Sequence, residues 1–288
     1  MIKSEILIIG GTGKIGSELV SLLVKAGVHF RILVRHNSTG HLPQYDNYEI
    51  VQGDLTEPDN VKIALSDIKR VFLLSRDQPR LGELEGILIE LARAAGVKKI
   101  VKSSAFAAGL QPPVGYGVSH AESEHKLMSS GLQWVILRPY MFMQNLLELS
   151  DLIMSRSLMP LPLAKAKIGI IDARDVALVA KTVLTEDAYD NKHYELTGPD
   201  ALSMNDCAEV LSGLLGRSIR YRSPPYWFAA LMMRMQGVSA WDIVMRKQLF
   251  KMIRDGGETI ITNDVEHITG QKPRSLESFL REHQNVFQ

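Results

Sequence analysis

Apolar residues in the first half of the chain follow two alternating patterns. Short continuous runs that end at glycine or polar residues predict strands buried on both faces, and apolar residues spaced three or four apart predict amphipathic helices. Helices are predicted through Ile15 and Leu23, after Thr56 as an N-cap, and over residues 84–95 and 121–130. The predicted strands cover residues 5–9, 30–34, 48–51, 71–74, 99–103 and 134–137.

Strands that alternate with helices pair in parallel, because each crossover uses a helix's length of chain. The right-handed crossover rule then favours an α/β fold with a doubly wound, Rossmann-type parallel sheet. In the less regular second half, the pattern predicts a loop over residues 157–167, a strand over 168–171, a helix over 175–184, and a strand over 194–196 that returns to the main sheet. Helical patterns at 207–215, 226–235, 240–253 and 276–283 predict a smaller, mostly helical C-terminal lobe.

A glycine-rich turn lies between the first predicted strand and the first predicted helix, which is the context of a dinucleotide-binding loop. Gly10 and Gly13 let the backbone turn tightly and approach a pyrophosphate, and Gly16 lets the helix pack close to the strand. The helix N-terminus offers N–H groups and a partial positive charge to the phosphates. We expect this turn to bind NAD(P); the alternative is a glycine-rich turn without a ligand. Its predicted binding residues are Gly10, Thr12, Gly13, Lys14, Ile15 and Gly16.

The end of the second predicted strand bears on the choice of dinucleotide. A NAD site places an acid there for the ribose hydroxyls, whereas this chain has Arg35, followed by Asn37 and Ser38. Arg35 can pair with a 2′-phosphate, so NADP(H) is favoured over NAD(H); the alternative is a solvated charge at the strand end. Asn37 and Ser38 can add hydrogen bonds. Asp54, after the third strand, can accept from the adenine amino group or serve only as a turn aspartate.

These patterns predict a dinucleotide-binding domain over residues 1–155, to which residues 168–198 return, and a smaller substrate lobe over 199–288. The net charge of +1 over 288 residues is against a nucleic-acid partner. No apolar run approaches the ~20 residues of a membrane span, so we expect no membrane partner. The single cysteine, Cys207, excludes an intrachain disulfide and fits a cytoplasmic protein. It is interpreted as a small buried hydrophobe rather than a reactive thiol.

Several stretches, in order from residue 1 to about 220, resemble the NmrA-like branch of the atypical short-chain dehydrogenases. The resemblance implies the Rossmann fold and an NAD(P) cofactor. It leaves the chemistry open, because the branch includes reductases of quinones and other aromatic acceptors as well as non-catalytic regulators that sense the nicotinamide pool. The matching stretches are Gly10-Gly11-Thr12-Gly13-Lys14-Ile15-Gly16, Leu33-Val34-Arg35, Gly53-Asp54-Leu55, Val71-Phe72-Leu73-Leu74-Ser75, Ser129-Ser130-Gly131-Leu132, Leu137-Arg138-Pro139, Phe142-Met143-Gln144-Asn145 and Leu196-Thr197-Gly198-Pro199.

The same resemblance identifies candidate catalytic residues through the Y-x-x-x-K signature of short-chain dehydrogenases. Here the tyrosine is Tyr116, and the lysine position holds His120. A neutral imidazole has no fixed charge to lower a phenol's pKa, so Tyr116 is weakened as an acid and His120 becomes a candidate for ribose binding or proton donation. The alternative is a packed tyrosine and a half-buried polar histidine. Loss of the lysine fits quinone-type acceptors better than ketones or sugars, and it counts against a sugar-nucleotide epimerase.

Serines follow the fourth and fifth predicted strands, on the side of the sheet where open α/β folds bind ligands. We expect Ser75 and Ser103 to face the cofactor and Ser104 to orient a substrate oxygen; the alternative is that all three satisfy turn backbone groups. Aromatic residues and methionines suggest either core or a pocket for a flat apolar substrate. They are Tyr140, Met141, Phe142, Met143, Tyr226, Trp227, Phe228, Met232, Met233 and Met235.

The sequence therefore supports two functional hypotheses. The first is an NADPH-dependent oxidoreductase that passes a hydride to a quinone-like or other apolar aromatic acceptor. The second is a non-catalytic NADP(H)-sensing regulator, for which an exposed apolar patch would be the structural indicator. A homodimer is compatible with either hypothesis.

Overall fold

The structure, a computed structural model, describes residues 4–35, 46–256 and 260–288. The chain divides into two compact units that interleave along the sequence. The predicted division into a cofactor domain and a substrate lobe concerns function, and it stays a prediction. Unit 1 comprises Met1–Gly109, Gly117–Arg138 and Val176–Tyr194, and unit 2 comprises Leu110–Tyr116, Pro139–Asp175 and Glu195–Gln288.

In the part of the chain that the structure describes, one sheet contains seven strands. The strand order reverses beside β1, the first strand in the sequence. In spatial order they are β3 (Tyr48–Gln52), β2 (Phe30–Val34), β1 (Ile6–Ile9), β4 (Arg70–Leu73), β5 (Lys99–Ser103), β6 (Gln133–Pro139) and β9 (Lys192–Leu196). Every neighbouring pair from β3 to β6 is parallel. This confirms the doubly wound prediction, and it puts a topological switch point between β1 and β4, where such folds bind ligands.

The sheet carries the core of unit 1. Every residue of β1 and β5 is buried, as expected for strands covered on both faces. Apolar side chains of β1, β2, β4, β5 and β6 form one cluster with the inner faces of three helices. The helices connected to the sheet are α1 (Lys14–Lys25), α2 (Pro58–Leu65), α3 (Leu81–Ala94), α4 (Gly117–Met128) and α6 (Ala173–Thr185), and α2, α3 and α4 contribute to that cluster.

Unit 2 contains the C-terminal region, residues 199–288, which is mostly helical, as predicted. Ion pairs within unit 2 hold its C-terminal segment in place. Arg174 bonds both Asp172 and Glu282, and Arg274 pairs with the buried Asp175. Its helices are α5 (Ser150–Arg156), α7 (Met204–Leu215), α8 (Tyr226–Met235), α9 (Ala240–Arg254), α10 (Asp264–Thr269) and α11 (Leu276–Glu282). Its short strands pair as β7 (Leu158–Pro160) with β11 (Arg220–Arg222) and β8 (Lys167–Ile168) with β10 (Leu202–Ser203).

Three local predictions are wrong. Residues 157–167 are not all loop, because β7 pairs with β11, about sixty residues later in the chain. The strand predicted over 168–171 is confined to β8 and a single bridge from Ile171 to Phe142. Thr56 is not an N-cap: α2 begins at Pro58, and the Thr56 hydroxyl instead donates to Asp54 at 2.8 Å.

No helix within the described residues is long and apolar enough to cross a membrane. Those residues also contain no group of three or more His, Cys, Asp or Glu side chains that could hold a metal ion.

Candidate functional site

A bare backbone cradle follows β1. Gly10 has φ of +80°, and a β-carbon there would overlap the carbonyl oxygen of Leu74. A β-carbon on Gly16 would lie 2.7 Å from the Gly10 carbonyl carbon, so the loop and the first turn of α1 meet without side chains between them. Gly13 is the N-cap of α1 in extended conformation, with no side-chain cap and no acidic residue in the first turn. The positive end of α1 is therefore left for an anion.

The tip of this cradle is open to solvent. Thr12, Gly13 and Lys14 are exposed, whereas Ile15 and Gly16 are buried at the base. A β-carbon on Gly13 would meet only the Gly10 carbonyl oxygen, at 3.4 Å. The protein itself would therefore leave room for a side chain at position 13. The glycine there instead lets a ligand approach the backbone closely.

Arg35 lies at the same edge of the sheet as the cradle. It follows Val34 directly, and the parallel register pairs Leu33 with Ile9, the residue before Gly10. Arg35 is exposed. Asn37 and Ser38, predicted to assist it, lie outside the described residues.

Asp54 sits in the turn after β3. Its Oδ1 accepts from the Thr56 backbone N–H at 3.0 Å and from the Thr56 hydroxyl. Its own N–H donates to Glu57 at 3.1 Å. Asp54 therefore stabilises the turn through Oδ1. A hydrogen bond from an adenine amino group would have to be accepted by its other carboxylate oxygen, Oδ2.

A buried polar cluster lies where β4 and β5 end. The Lys102 ammonium on β5 is fully buried and pairs with Glu85 of α3, which is fully buried too. Lys102 Nζ also lies 3.2 Å from His120 Nδ1, and His120 Nε2 lies 3.1 Å from Asp77 Oδ1. An ammonium can only donate, so Nδ1 accepts and the ring proton is on Nε2, directed to Asp77. His120 is thus held at both nitrogens.

Glu85 is the fixed anion of this cluster. Its two oxygens accept from the hydroxyls of Ser75 and Ser123, in addition to Lys102. Burial alone would raise the pKa of this carboxyl, but the Lys102 charge and these hydrogen bonds outweigh burial and lower the pKa below its usual value. Glu85 is therefore ionised, and the Ser75 hydroxyl uses its proton in the hydrogen bond that it donates to Glu85.

Close helix packing brings the cluster together. A β-carbon on Gly82 of α3 would lie 2.9 Å from the Ser119 carbonyl oxygen on α4. A β-carbon on Gly117 would lie 2.6 Å from the Ala108 backbone nitrogen, so the start of α4 rests on the turn at Phe106–Ala108. Because α4 begins at Gly117 rather than at the predicted residue 121, His120 lies in its first turn.

The serines that end β5 differ in their surroundings. Ser103 is 1% exposed, and its hydroxyl has no hydrogen-bond partner among the described residues, which marks a buried polar group that lacks one. Ser104 donates at 2.5 Å to the buried Glu124, which also accepts from Arg138 at 2.6 Å. The Ser104 proton is therefore directed away from any substrate, and only its oxygen remains as an acceptor.

Tyr116 belongs to unit 2. Its hydroxyl donates to Asp242 of α9 at 3.1 Å, and its ring stacks edge-on against Trp241. Burial, with a further contribution from Asp242, raises the pKa of Tyr116 to about 12 despite the opposing Arg246. The phenol is therefore neutral near pH 7.

The predicted pocket residues of unit 2 separate into two groups. Tyr140 and Met143 are buried in the core. The residues of α8 are not: Trp227, Phe228, Met232 and Met235 are all exposed.

The match to known proteins covers nearly the whole chain. The model of the NmrA-like family matches residues 2–284. The chain belongs to the NmrA-like family. This confirms the resemblance read from the glycine-rich turn and the later motifs.

Relatives of this NmrA-like chain include reductases. The NAD(P)H azoreductase of Xenophilus azovorans is 33% identical over 282 residues, which is 98% of this chain and 99% of the relative. The NADPH complex of the quinone oxidoreductase QOR2 from Escherichia coli has a TM-score of 0.85 at 22% identity, covering 97% of this chain and 100% of that one. The NADP(H) complex of a Citrobacter triphenylmethane reductase has a TM-score of 0.83 at 20% identity, covering 96% and 99%. At such identities the two structures show the shared fold.

The cradle of this NmrA-like chain fits the nicotinamide dinucleotide that its fold implies. Backbone replaces side chains where a pyrophosphate would lie, and at the same edge of the sheet Ser103 has a hydroxyl to which no described residue is hydrogen-bonded. The sequence interpretation missed Lys102, Glu85 and Asp77. A signal for the first two was present, because a lysine within a doubly covered strand and a glutamate on the apolar face of a helix must pair when buried.

Proposed function

We propose that this protein is an NADPH-dependent reductase that passes a hydride to a quinone-like or other flat aromatic acceptor. The observation that carries the proposal is the His120 ring, fixed between the buried Lys102 and the half-exposed Asp77 at the sheet edge that bears the glycine cradle. Fixed donors at the ligand edge of a Rossmann sheet suit a reaction that needs positioning and one proton.

The cofactor is held by backbone and by few side chains. The loop from Gly10 to Gly16, with Thr12, Lys14 and Ile15 between the glycines, holds the pyrophosphate against the N-terminus of α1. Arg35 pairs with the 2′-phosphate of NADP, and Asp54 lies toward the adenine. Ser75 and Ser103 complete the edge. The azoreductase relative uses NAD(P)H by name, and both structural neighbours were solved with the phosphorylated form, which supports NADP(H).

When bound, reduced nicotinamide supplies the hydride; a quinone that takes this hydride and one proton becomes a hydroquinone. His120 gives up its Nε2 proton while its Nδ1 takes one from the Lys102 ammonium, so the ring stays neutral through the transfer. Lys102 at Nδ1 keeps the ring from turning and keeps that nitrogen an acceptor. Asp77, whose side chain is 44% exposed, connects Nε2 to solvent, so the proton can be replaced after each turnover.

The other two candidate catalytic residues receive smaller roles. Tyr116, whose pKa is about 12 and whose hydroxyl donates to Asp242, does not serve as the acid. Ser104 donates its hydroxyl hydrogen bond to Glu124 and can accept one from the substrate through its oxygen. This arrangement favours quinones over ketones, because ketone reduction needs a stronger acid at the carbonyl oxygen.

The test is oxidation of NADPH, followed by loss of reduced-nicotinamide absorbance, with a benzoquinone, a naphthoquinone, an azo dye and an aliphatic ketone. We expect turnover with the aromatic acceptors and none with the ketone. His120→Ala should lower kcat about 100-fold, within the range typical of a lost general acid. His125→Ala, an exposed histidine on the same helix, is the matched control, and Tyr116→Phe should leave kcat within about threefold.

Tight NADPH binding without turnover of any acceptor would refute the reductase and leave the NADP(H)-sensing regulator. One observation favours that second candidate: α8 presents exposed apolar side chains, as an interaction surface does. Equal activity of His120→Ala and His125→Ala would remove His120 from the chemistry.

A further inference from the structure

The helix α8 exposes an apolar face that its own unit leaves uncovered. None of its ten residues is buried, although only Arg234 among them is charged. Trp227, Leu231 and Met235 recur every four positions and are 69%, 50% and 75% exposed. Phe228 and Met232, at 44% and 41%, extend the same stripe on the adjacent side. These five residues, called here the α8 stripe, form one continuous apolar surface.

The stripe lies in the most basic part of the chain. Residues 217–255 contain eight Lys and Arg against two Asp, a net charge of +6, so the rest of the chain carries −5. Arg234 is on α8 itself, and Lys247 of α9 sits 5.9 Å from the centroid of the Tyr226 ring on α8. The exposed cations of residues 217–255 are Arg220, Arg222, Arg234, Lys247, Lys251 and Arg254.

We propose that the α8 stripe docks this protein on an anionic phospholipid bilayer. A helix with a Trp, Phe and Leu face and basic flanks lies in the plane of a bilayer, with its apolar side at the boundary between headgroups and acyl chains. Ten residues make a helix of about 15 Å, which suits insertion along the surface rather than across it. The expectation of no membrane partner considered spanning segments alone, and a docked helix is a different mode of contact.

Charge decides between a bilayer and a second copy of the chain. A symmetric dimer through the stripe would bring two +6 segments together, since an isologous interface pairs a patch with itself. A bilayer with anionic lipids instead attracts each basic residue near its surface. A nucleic-acid strand would need cations interleaved with the aromatic rings, whereas the five residues of the α8 stripe are all apolar and have no cation among them.

The experiment is co-sedimentation of the full chain with vesicles of phosphatidylcholine alone and of phosphatidylcholine mixed with phosphatidylglycerol, at low and high salt. We expect binding to the anionic vesicles, weakened by salt, and little binding to the neutral ones. Tryptophan emission should shift to shorter wavelength on binding. Trp227→Phe should remove that shift while retaining binding, because Phe keeps the apolar contact and the other tryptophans, Trp134 and Trp241, lie outside the stripe.

Two surface variants separate the apolar and electrostatic contributions. Trp227→Ser with Leu231→Ser should weaken partitioning by more than about tenfold. Arg234→Gln with Lys247→Gln should weaken it about 25-fold, since each basic residue contributes about fivefold. Ile63→Ser, at a residue 61% exposed on α2, and Lys98→Gln, an exposed lysine before β5, are the matched controls and should bind as the unaltered chain does.

Absence of binding to anionic vesicles at low salt overturns the proposal. So does binding that is equal on neutral vesicles and indifferent to salt and to the charge variant. Concentration-dependent self-association that the Trp227→Ser and Leu231→Ser pair abolishes, without vesicle binding, would assign the stripe to a second copy instead.

Discussion

Removal of the Lys102 ammonium isolates a buried carboxylate, and its cost can be worked from the structure. Lys102 and Glu85 are both fully buried, so Lys102→Met leaves Glu85 without a counter-charge. Breaking one side of a buried pair costs about 3–5 kcal/mol, because the remaining ion is uncompensated. Glu85→Gln in the same chain removes that ion and keeps one carbonyl oxygen as an acceptor for the Ser75 or the Ser123 hydroxyl, which bond different oxygens of Glu85. We therefore expect the double variant to regain at least about 2 kcal/mol.

The assay needs a reporter for unit 1 alone, since the chain has two compact units. Trp134 is the single tryptophan of unit 1, and it packs against the core cluster. A background with Trp227→Phe and Trp241→Phe therefore makes tryptophan emission in urea report the unfolding of unit 1. Lys98→Met, an exposed neighbour, is the control and should change the unfolding free energy by less than about 0.5 kcal/mol.

The sign of the pH dependence is the decisive readout. In the unaltered chain the pKa of Glu85 is lowered, so its contribution to stability is present above the unfolded pKa of about 4.3 and is lost as pH falls through the folded value. In Lys102→Met, burial without a counter-charge raises the Glu85 pKa above the unfolded value. Stability should then fall as pH rises above about 4.5, the opposite slope. A Lys102→Met variant with the original slope, or a double variant no more stable than the single one, would refute a direct Lys102–Glu85 coupling.

Two further predictions test the cofactor site and the cysteine. Arg35→Asp should weaken NADP binding, measured by calorimetry, about 10- to 100-fold, because repulsion replaces a charge-assisted hydrogen bond. NAD binding should change by less than about threefold, and equal losses for the two cofactors would show that Arg35 does not contact the 2′-phosphate. Burial, with a contribution from Asp206, raises the pKa of the Cys207 thiol to about 12. The folded chain should therefore resist a thiol reagent at pH 8 and react only after unfolding in urea, and rapid labelling of the folded protein would contradict this.

The elements that sequence predicted best are those specified by local pattern. The strand of buried residues ending at Gly10 and the helix after Gly13 formed as expected, because glycine geometry and apolar spacing act within a dozen residues. The bounds of α8, Tyr226–Met235, also match, since Pro225 precedes it and Gly237 follows. The pattern could not give its exposure, which depends on what the rest of unit 2 covers.

The pairings that sequence missed join residues far apart in the chain. β7 is defined by its hydrogen bonds to β11, and a segment of three residues is too short for its apolar pattern to predict a strand. Lys102, Glu85 and His120 come from a strand and two helices, and their meeting depends on how closely α3 approaches α4 at Gly82. Residue type alone indicated that Lys102 needs a buried partner; which partner it has required the fold.

The position of the buried cation determines what His120 can do. In the Y-x-x-x-K signature the lysine occupies the helix position that His120 holds here, whereas this chain supplies its ammonium from β5, behind the ring. That ammonium occupies Nδ1, so Nε2 can only donate while the ring is neutral. A site that offers a proton rather than accepting one matches the reductive direction, since a quinone needs a proton with its hydride. Lys102 is thus a positioning residue. We expect Lys102→Met to lower kcat in NADPH oxidation even in the stabilised Glu85→Gln background, while Kd for NADPH stays unchanged.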